Sequence, residues 1–197
     1  FLHCLSSAGK QVWSPAHVGE PLGWAAPVVD EAGNTFVSAY DGGLIRVKPD
    51  GKTDSRLYLR TRTKLDSAAI IHEGVLYVGS EEGYLFAVQL GDQKGASLWR
   101  RAADQGYTGG FVNSSPAMTE DGILVVAARD EMLWGFAPSG AVAWSIKVPG
   151  QILGSPVIDR HGHIYVGVCQ AERGQEGRGF LICVDANSHK IRWQYAA

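Results

Sequence analysis

The sequence is short of cysteine, of net charge and of long apolar runs, and each shortage removes a class of protein. Cys4, Cys169 and Cys183 are too few and too scattered for a disulfide framework, and no C-x-x-C pair offers a metal or redox site. No run of about 18 apolar residues is present, so no membrane-spanning helix is expected. A formal charge of −2 and a pI near 6.3 provide no cationic surplus, which argues against nucleic acid as a partner. The chain opens on Phe1 without a Met, a charged region and an apolar leader, as expected of an excised fragment or of a chain whose signal has been removed.

Catalytic signatures are missing too. There is no G-x-S-x-G elbow, no phosphate-cradling G-x-x-x-x-G-K-[ST], and no cysteine in a setting that suggests activation. No catalytic residue is assigned, and the reading leans away from an enzyme.

Glycine, by contrast, is abundant. Its 25 copies in 197 residues are well above the usual share of about 7% and predict many tight turns. Several of these glycines sit in a repeat. Ser114-Ser115-Pro116-Ala117-Met118-Thr119-Glu120-Asp121-Gly122-Ile123-Leu124-Val125-Val126 is matched by Gly154-Ser155-Pro156-Val157-Ile158-Asp159-Arg160-His161-Gly162-His163-Ile164-Tyr165-Val166. Weaker copies begin at Ala25 and Ser67. The turn glycines Gly33, Gly74, Gly122 and Gly162 recur at intervals of 41, 48 and 40 residues, a period that suits four short strands per unit. Within a unit the apolar residues alternate with period two, so strands are expected throughout and no helix. Each unit leads from small residues, often with proline, into a first strand. The last strand ends in an indole at Trp99, Trp144 and Trp193, and at Trp13 in the opening segment.

The closing segment Asp185-Ala186-Asn187-Ser188-His189-Lys190-Ile191-Arg192-Trp193 combines turn-forming side chains with a large flat ring able to cover a neighbouring unit. It resembles the tryptophan-docking motif A-x-D-x-x-T-G-K-x-x-W of the quinoprotein alcohol dehydrogenases and their PQQ-like β-propeller relatives. Cys183, Asp185, Ser188, Lys190 and Trp193 align with that motif, and His189 stands where glycine is usual. Gly140 to Trp144 and Gly9-Lys10 to Trp13 resemble a shortened form, whereas Ser55 occupies the tryptophan position after Gly51-Lys52. The resemblance extends over the whole chain and includes the outer-membrane assembly lipoprotein group. It implies an all-β propeller, a non-catalytic role in protein or ligand recognition, and a periplasmic or extracytoplasmic location. Its enzymatic branch implies PQQ, calcium and vicinal cysteines near the cofactor. This sequence has no vicinal cysteines, and no cofactor is expected. The other reading is a fragment of a PQQ-dependent dehydrogenase or of an extracytoplasmic sensor.

Residues 1–197 are expected to form a single propeller: a two-strand partial blade at 1–13 and complete four-stranded antiparallel blades at about 24–58, 65–99, 113–144 and 153–193. This amounts to an incomplete ring, or a ring of about five blades, and the partial blade leaves an edge through which the chain could self-associate. In such a blade the second-to-third-strand loop and the blade-to-blade connection emerge at one end. The two longest excursions, 100–113 and 169–178, are of these kinds. Tyr107, Phe111, Asn113, Glu172, Arg173 and Arg178 are therefore the candidate recognition residues for a protein or small ligand.

Two further clusters have plainer readings. His161 and His163 beside Asp159 form an H-x-H with the spacing of metal ligands, but sister units carry Asp, Glu and Thr turns there, so a turn is expected and no metal. Arg46, Lys48, Lys52, Arg56, Arg60, Arg62 and Lys64 interleave with Asp41, Asp50, Asp54 and Asp66, which reads as a solvated blade edge.

Overall fold

The computed structural model describes residues 1–19, 25–59, 64–91, 96–102, 114–170 and 177–196. Its regular structure is entirely β, and no helix occurs among the described residues. Four antiparallel sheets follow one another along the chain, each with its strands in sequence order. Blade I comprises β1 (Val28–Val29), β2 (Thr35–Ser38), β3 (Gly43–Val47) and β4 (Thr53–Tyr58). Blade II comprises β5 (Ile70–His72), β6 (Val75–Gly79), β7 (Tyr84–Gln89) and β8 (Ala96–Ala102). Blade III comprises β9 (Ala117–Met118), β10 (Leu124–Ala127), β11 (Met132–Phe136) and β12 (Val142–Lys147).

In blade IV the innermost strand is in two pieces, β13 (Gln151–Ile152) and β14 (Val157–Ile158), both paired with β15 (His163–Gln170); β16 (Arg178–Asp185) and β17 (Lys190–Ala196) complete it. The residues between the pieces, 153–156, include Pro156, which has no N–H to give to a ladder. Ahead of blade I, the opening segment folds into a hairpin by bridges between Leu5 and Gln11 and between Leu2 and Ala16, so its pairing runs past Trp13.

Period-two alternation explains how the blades stack. Along β10, Leu124 and Val126 join the core shared with blade II, while Val125 and Ala127 join the core shared with blade IV. Along β7, Phe86 and Val88 face blade I while Leu85 and Ala87 face blade III. β7 and β10 thus each feed two cores, and a one-residue slip would exchange them.

The outer strands carry the motif residues in equivalent places. Each pairing of third and fourth strands has one irregularity, at Arg46/Val47, Ala87/Val88, Gly135/Phe136 and Cys183/Val184. Just before it, Trp99 lies opposite Ala87, Trp144 opposite Gly135 and Trp193 opposite Cys183, and Ser55 lies opposite Arg46. The indoles therefore face small residues across the strand pair, and the blade without an indole carries arginine instead.

Each seated indole covers the third-to-fourth-strand turn of the next blade. A Cβ at Gly51 would lie 2.8 Å from the Trp13 ring, and one at Gly140 2.8 Å from the Trp99 ring. Both glycines have left-handed φ, 82° and 81°, so the turn and the close approach each require the missing side chain. Trp99 also donates its Nε1–H to the Pro138 carbonyl at 2.9 Å. Trp144 stacks on His189, which holds φ 54° at the position where glycine is usual, with ring centroids 5.1 Å apart. Trp193, with no later sheet among the described residues, is 43% exposed.

Gly135 tests this packing without backbone strain, because its Cβ would fall 2.2 Å from Trp144 and its φ is not left-handed. Gly135→Ala should push the ring off His189 and lower stability by about 2 kcal/mol, as overpacking does. Gly122→Ala, at φ 84° with nothing within 4 Å of the added methyl, should cost only about 1 kcal/mol of backbone strain. Urea titration of the two variants would measure the difference.

Candidate recognition surface

The strand order assigns the described turns to one of two ends. The turns from β2 to β3, β6 to β7 and β10 to β11 share one end with the connection from β12 to β13 and with the Gln170 and Arg178 ends of β15 and β16, and the turns from β3 to β4, β9 to β10, β11 to β12, β14 to β15 and β16 to β17 share the other. Of the six sequence candidates, Tyr107, Phe111, Asn113, Glu172 and Arg173 lie outside the described residues. Arg178 is described, and it belongs to a strand rather than a loop. It opens β16 opposite Gln170 and is exposed, because the β15–β16 ladder continues without a break through Cys169–Gly179 to Gln170–Arg178. Likewise β8 runs through Arg100 to Ala102, and the Arg100 guanidinium stands 4.4 Å from the centroid of the Tyr84 ring.

The same end carries side chains that loop length alone did not reveal. In blade I, Asp41 accepts the Gly43 N–H at 3.0 Å and a guanidinium N–H of Arg56, while Lys64 stands 4.4 Å over the Tyr40 ring. In blade II the turn holds Glu81 and Glu82, and the Glu81 N–H donates to the Lys64 carbonyl at 3.1 Å. In blade III, Asp130 accepts the Met132 N–H at 3.0 Å and the Trp134 Nε1–H at 3.2 Å, and Glu131 lies 3.8 Å from Lys147. An acidic residue just before the third strand is the legible signal in Tyr40-Asp41-Gly42 and Arg129-Asp130-Glu131. Side-chain acceptance of a backbone N–H two residues on fixes each carboxylate in place. The Asp41 carboxyl is held below its usual range: partial burial opposes ionisation, but hydrogen bonds from Arg56 and the Gly43 N–H outweigh it. The surface is a set of fixed charges on rigid turns, suited to recognising a polar partner surface.

Serines link the inner strands near this end. The Ala68 N–H donates to Ser115 Oγ at 3.1 Å, and the Ser115 N–H donates to Ser155 Oγ at 2.9 Å. Ala68, Ser115 and Ser155 are equivalent repeat positions, so each serine receives the N–H of its counterpart one blade earlier. The small-residue start of each unit was plain in the sequence; its circumferential hydrogen bonds were not.

At the opposite end the H-x-H resolves as a turn. Asp159 Oδ1 accepts the N–H groups of His161 and His163 at 2.8 and 2.9 Å, and its Oδ2 meets His163 Nδ1 and the Tyr165 hydroxyl at 2.9 and 3.0 Å. Asp30 and Thr119 take the same backbone bond from Asn34 and Ile123, each at 2.8 Å. Among the described residues no group of three or more His, Cys, Asp or Glu side chains is arranged to hold a metal ion. In the basic stretch Lys48 and Lys52 are exposed, as at a solvated edge, but Arg46 is not. Arg46 and Asp54 form a two-pronged pair at 2.8 Å with side chains only 14% and 17% exposed, and Arg60 and Arg62 lie outside the described residues.

A family model described as outer membrane protein assembly factor BamB matches residues 88–197, more than half of the chain. The chain belongs to this family of PQQ-like propeller repeats. An outer membrane protein assembly factor BamB from Nitrosomonas eutropha is 30% identical over 174 residues, covering 85% of this chain and 38% of that protein. The crystal structure of BamB from Moraxella catarrhalis superposes with a TM-score of 0.63 at 14% identity, covering 95% of this chain and 65% of that one. The fold is therefore that of a BamB-like propeller, and the chain spans less than two thirds of either relative's length.

The turn bonds to Asp159 have a pH consequence. Its carboxyl is held well below the usual range, first by the His163 backbone N–H and then by the His163 side chain, the His161 N–H and Tyr165. A carboxyl whose folded pKa is depressed contributes stability above its unfolded value of about 4 and loses it as pH falls toward the folded value. Asp159→Asn should make the acid limb of the thermal-midpoint profile below about pH 4 less steep, as followed by circular dichroism.

Proposed function

We propose that the chain is a non-catalytic propeller module that recognises a protein at the end of the blades bearing the connections, as part of outer-membrane protein assembly on the extracytoplasmic side of the cell. Membership of the BamB family carries this reading. The carboxylates of Asp41 and Asp130, each held by a backbone N–H, support it by supplying pre-organised polar groups at that end, with Glu81, Glu82 and Glu131 on the same turns. Residues 1–197 act in this reading as one propeller unit, with Tyr107, Phe111, Asn113, Glu172, Arg173 and Arg178 contributing to the same surface. A cofactor has no part in it.

Binding of the purified chain to components of an outer-membrane protein assembly machinery, followed by biolayer interferometry, is the direct test. Arg178→Glu should weaken binding about tenfold, equivalent to about 1.4 kcal/mol, whereas Glu120→Lys at the opposite end should change it less than about twofold. Equal losses from the two variants would contradict the assignment of the surface. Incubation with PQQ and Ca²⁺ followed by desalting should leave no quinone absorbance. Retained quinone with dye-linked alcohol oxidation would instead identify a piece of a dehydrogenase.

A further inference from the structure

The junction between blades I and II lacks both devices that tie the later blades together. Its outer strand β4 carries Ser55 at the indole position, and the first strand of blade II begins with Ala68 where blades III and IV place Ser115 and Ser155. In their place, Arg46 spans the junction. Its Nε and Nη2 hold the two carboxylate oxygens of Asp54 at 2.8 Å each, and its Nη1 donates to the Gly91 carbonyl of blade II at 2.9 Å. Lys48 adds a third contact to Asp54 at 3.2 Å. Around the guanidinium is a small cavity lined by Phe36, Leu44, Ser55, Leu57, Val88 and Leu90, where the other junctions seat a ring against a small residue. The inner half of the junction is apolar, built on Phe36, Leu44, Leu76, Val78, Phe86 and Val88, with a hydrogen bond from Ser38 Oγ to the Ser67 carbonyl at 3.2 Å.

We propose that Arg46, held in place by the Asp54 carboxylate of its own blade and donating across to the Gly91 carbonyl of blade II, is a latch that makes this junction a salt-sensitive opening point of the propeller, with β4 as the element that is released. Indole-on-turn contacts are dispersive and apolar, and added salt does not weaken them. The Arg46–Asp54 pair keeps 14% and 17% of its side-chain surface in solvent, so it is screened less than a fully exposed pair but still weakens as the Debye length shortens from about 14 Å at 0.05 M to about 4 Å at 0.5 M salt. The same salt step therefore loosens this junction while the indole-seated junctions between blades II and III and between blades III and IV stay shut. Arg56, the other charged side chain of β4 that makes an ion pair, points to the opposite junction, toward Asp41 and the Val18 carbonyl.

Hydrogen–deuterium exchange of the full chain between about 0.05 and 0.5 M NaCl tests the latch, with β12 of blade III as the internal standard. Exchange of the β4 amides should rise at least about threefold across that range, while β12 changes less than about 1.5-fold. Arg46→Ala should speed β4 exchange at low salt and cut the salt response by more than half. Asp54→Asn, which keeps side-chain volume, should do the same, so the test survives poor folding of the alanine variant. The pair Arg46→Ala and Ser55→Trp, recreating the indole-over-small-residue pattern, should slow exchange to that of β12 and remove the salt response. Equal salt responses in β4 and β12, or an undiminished response in both single variants, would overturn the proposal.

Discussion

An aromatic ring seated on the tight turn of the next sheet is the contact on which this architecture depends. The sheets satisfy their own hydrogen bonds, and nothing in a four-stranded ladder says where the next ladder should stand. The outer-strand indole supplies that instruction. It needs a small residue across the strand pair and a turn residue able to take positive φ, as Trp99 finds in Ala87 and Gly140. Seating such a ring contributes on the order of 2 kcal/mol per junction, enough to matter where each blade touches only its neighbours. His189 shows how far the rule stretches: a non-glycine residue holds the left-handed turn, and its imidazole becomes the stacking surface.

Serine at the start of the inner strand acts at the other edge of the same junction. Ser115 and Ser155 each take up a backbone N–H from the preceding blade, so the inner rim is tied by hydrogen bonds while the outer rim is tied by rings. Between them lie the apolar cores to which alternate residues of each middle strand contribute. The junction between blades I and II replaces ring and serine with Arg46, Asp54 and Ser38, which explains why Arg46 of the basic stretch is paired and partly buried while Lys48 and Lys52 stay exposed.

Much of the fold was legible because its determinants repeat. Glycine spacing, period-two alternation and the Trp positions depend on local chain geometry, and the strand register places Ser55 where the repeat alignment does. The broken inner strand of blade IV and the continuation of β15 and β16 through Gln170 and Arg178 were not legible, since both depend on pairing between distant residues. The proposed recognition surface was the least accessible. Loop length selected six residues, of which Arg178 alone is described, whereas the short turns hold carboxylates at Asp41 and Asp130 by bonds to backbone and to Arg56 or Trp134. Such charges look like ordinary turn residues until the blade order brings their turns to one end.

A double-mutant cycle on Trp99 and Gly140 tests the central contact most directly. If the ring is seated on that turn, Gly140→Ala should cost at least about 1 kcal/mol less in the Trp99→Ala background than alone, because the clash disappears with the ring. Additivity to within about 0.3 kcal/mol would contradict the account, since it would mean that ring and turn act independently.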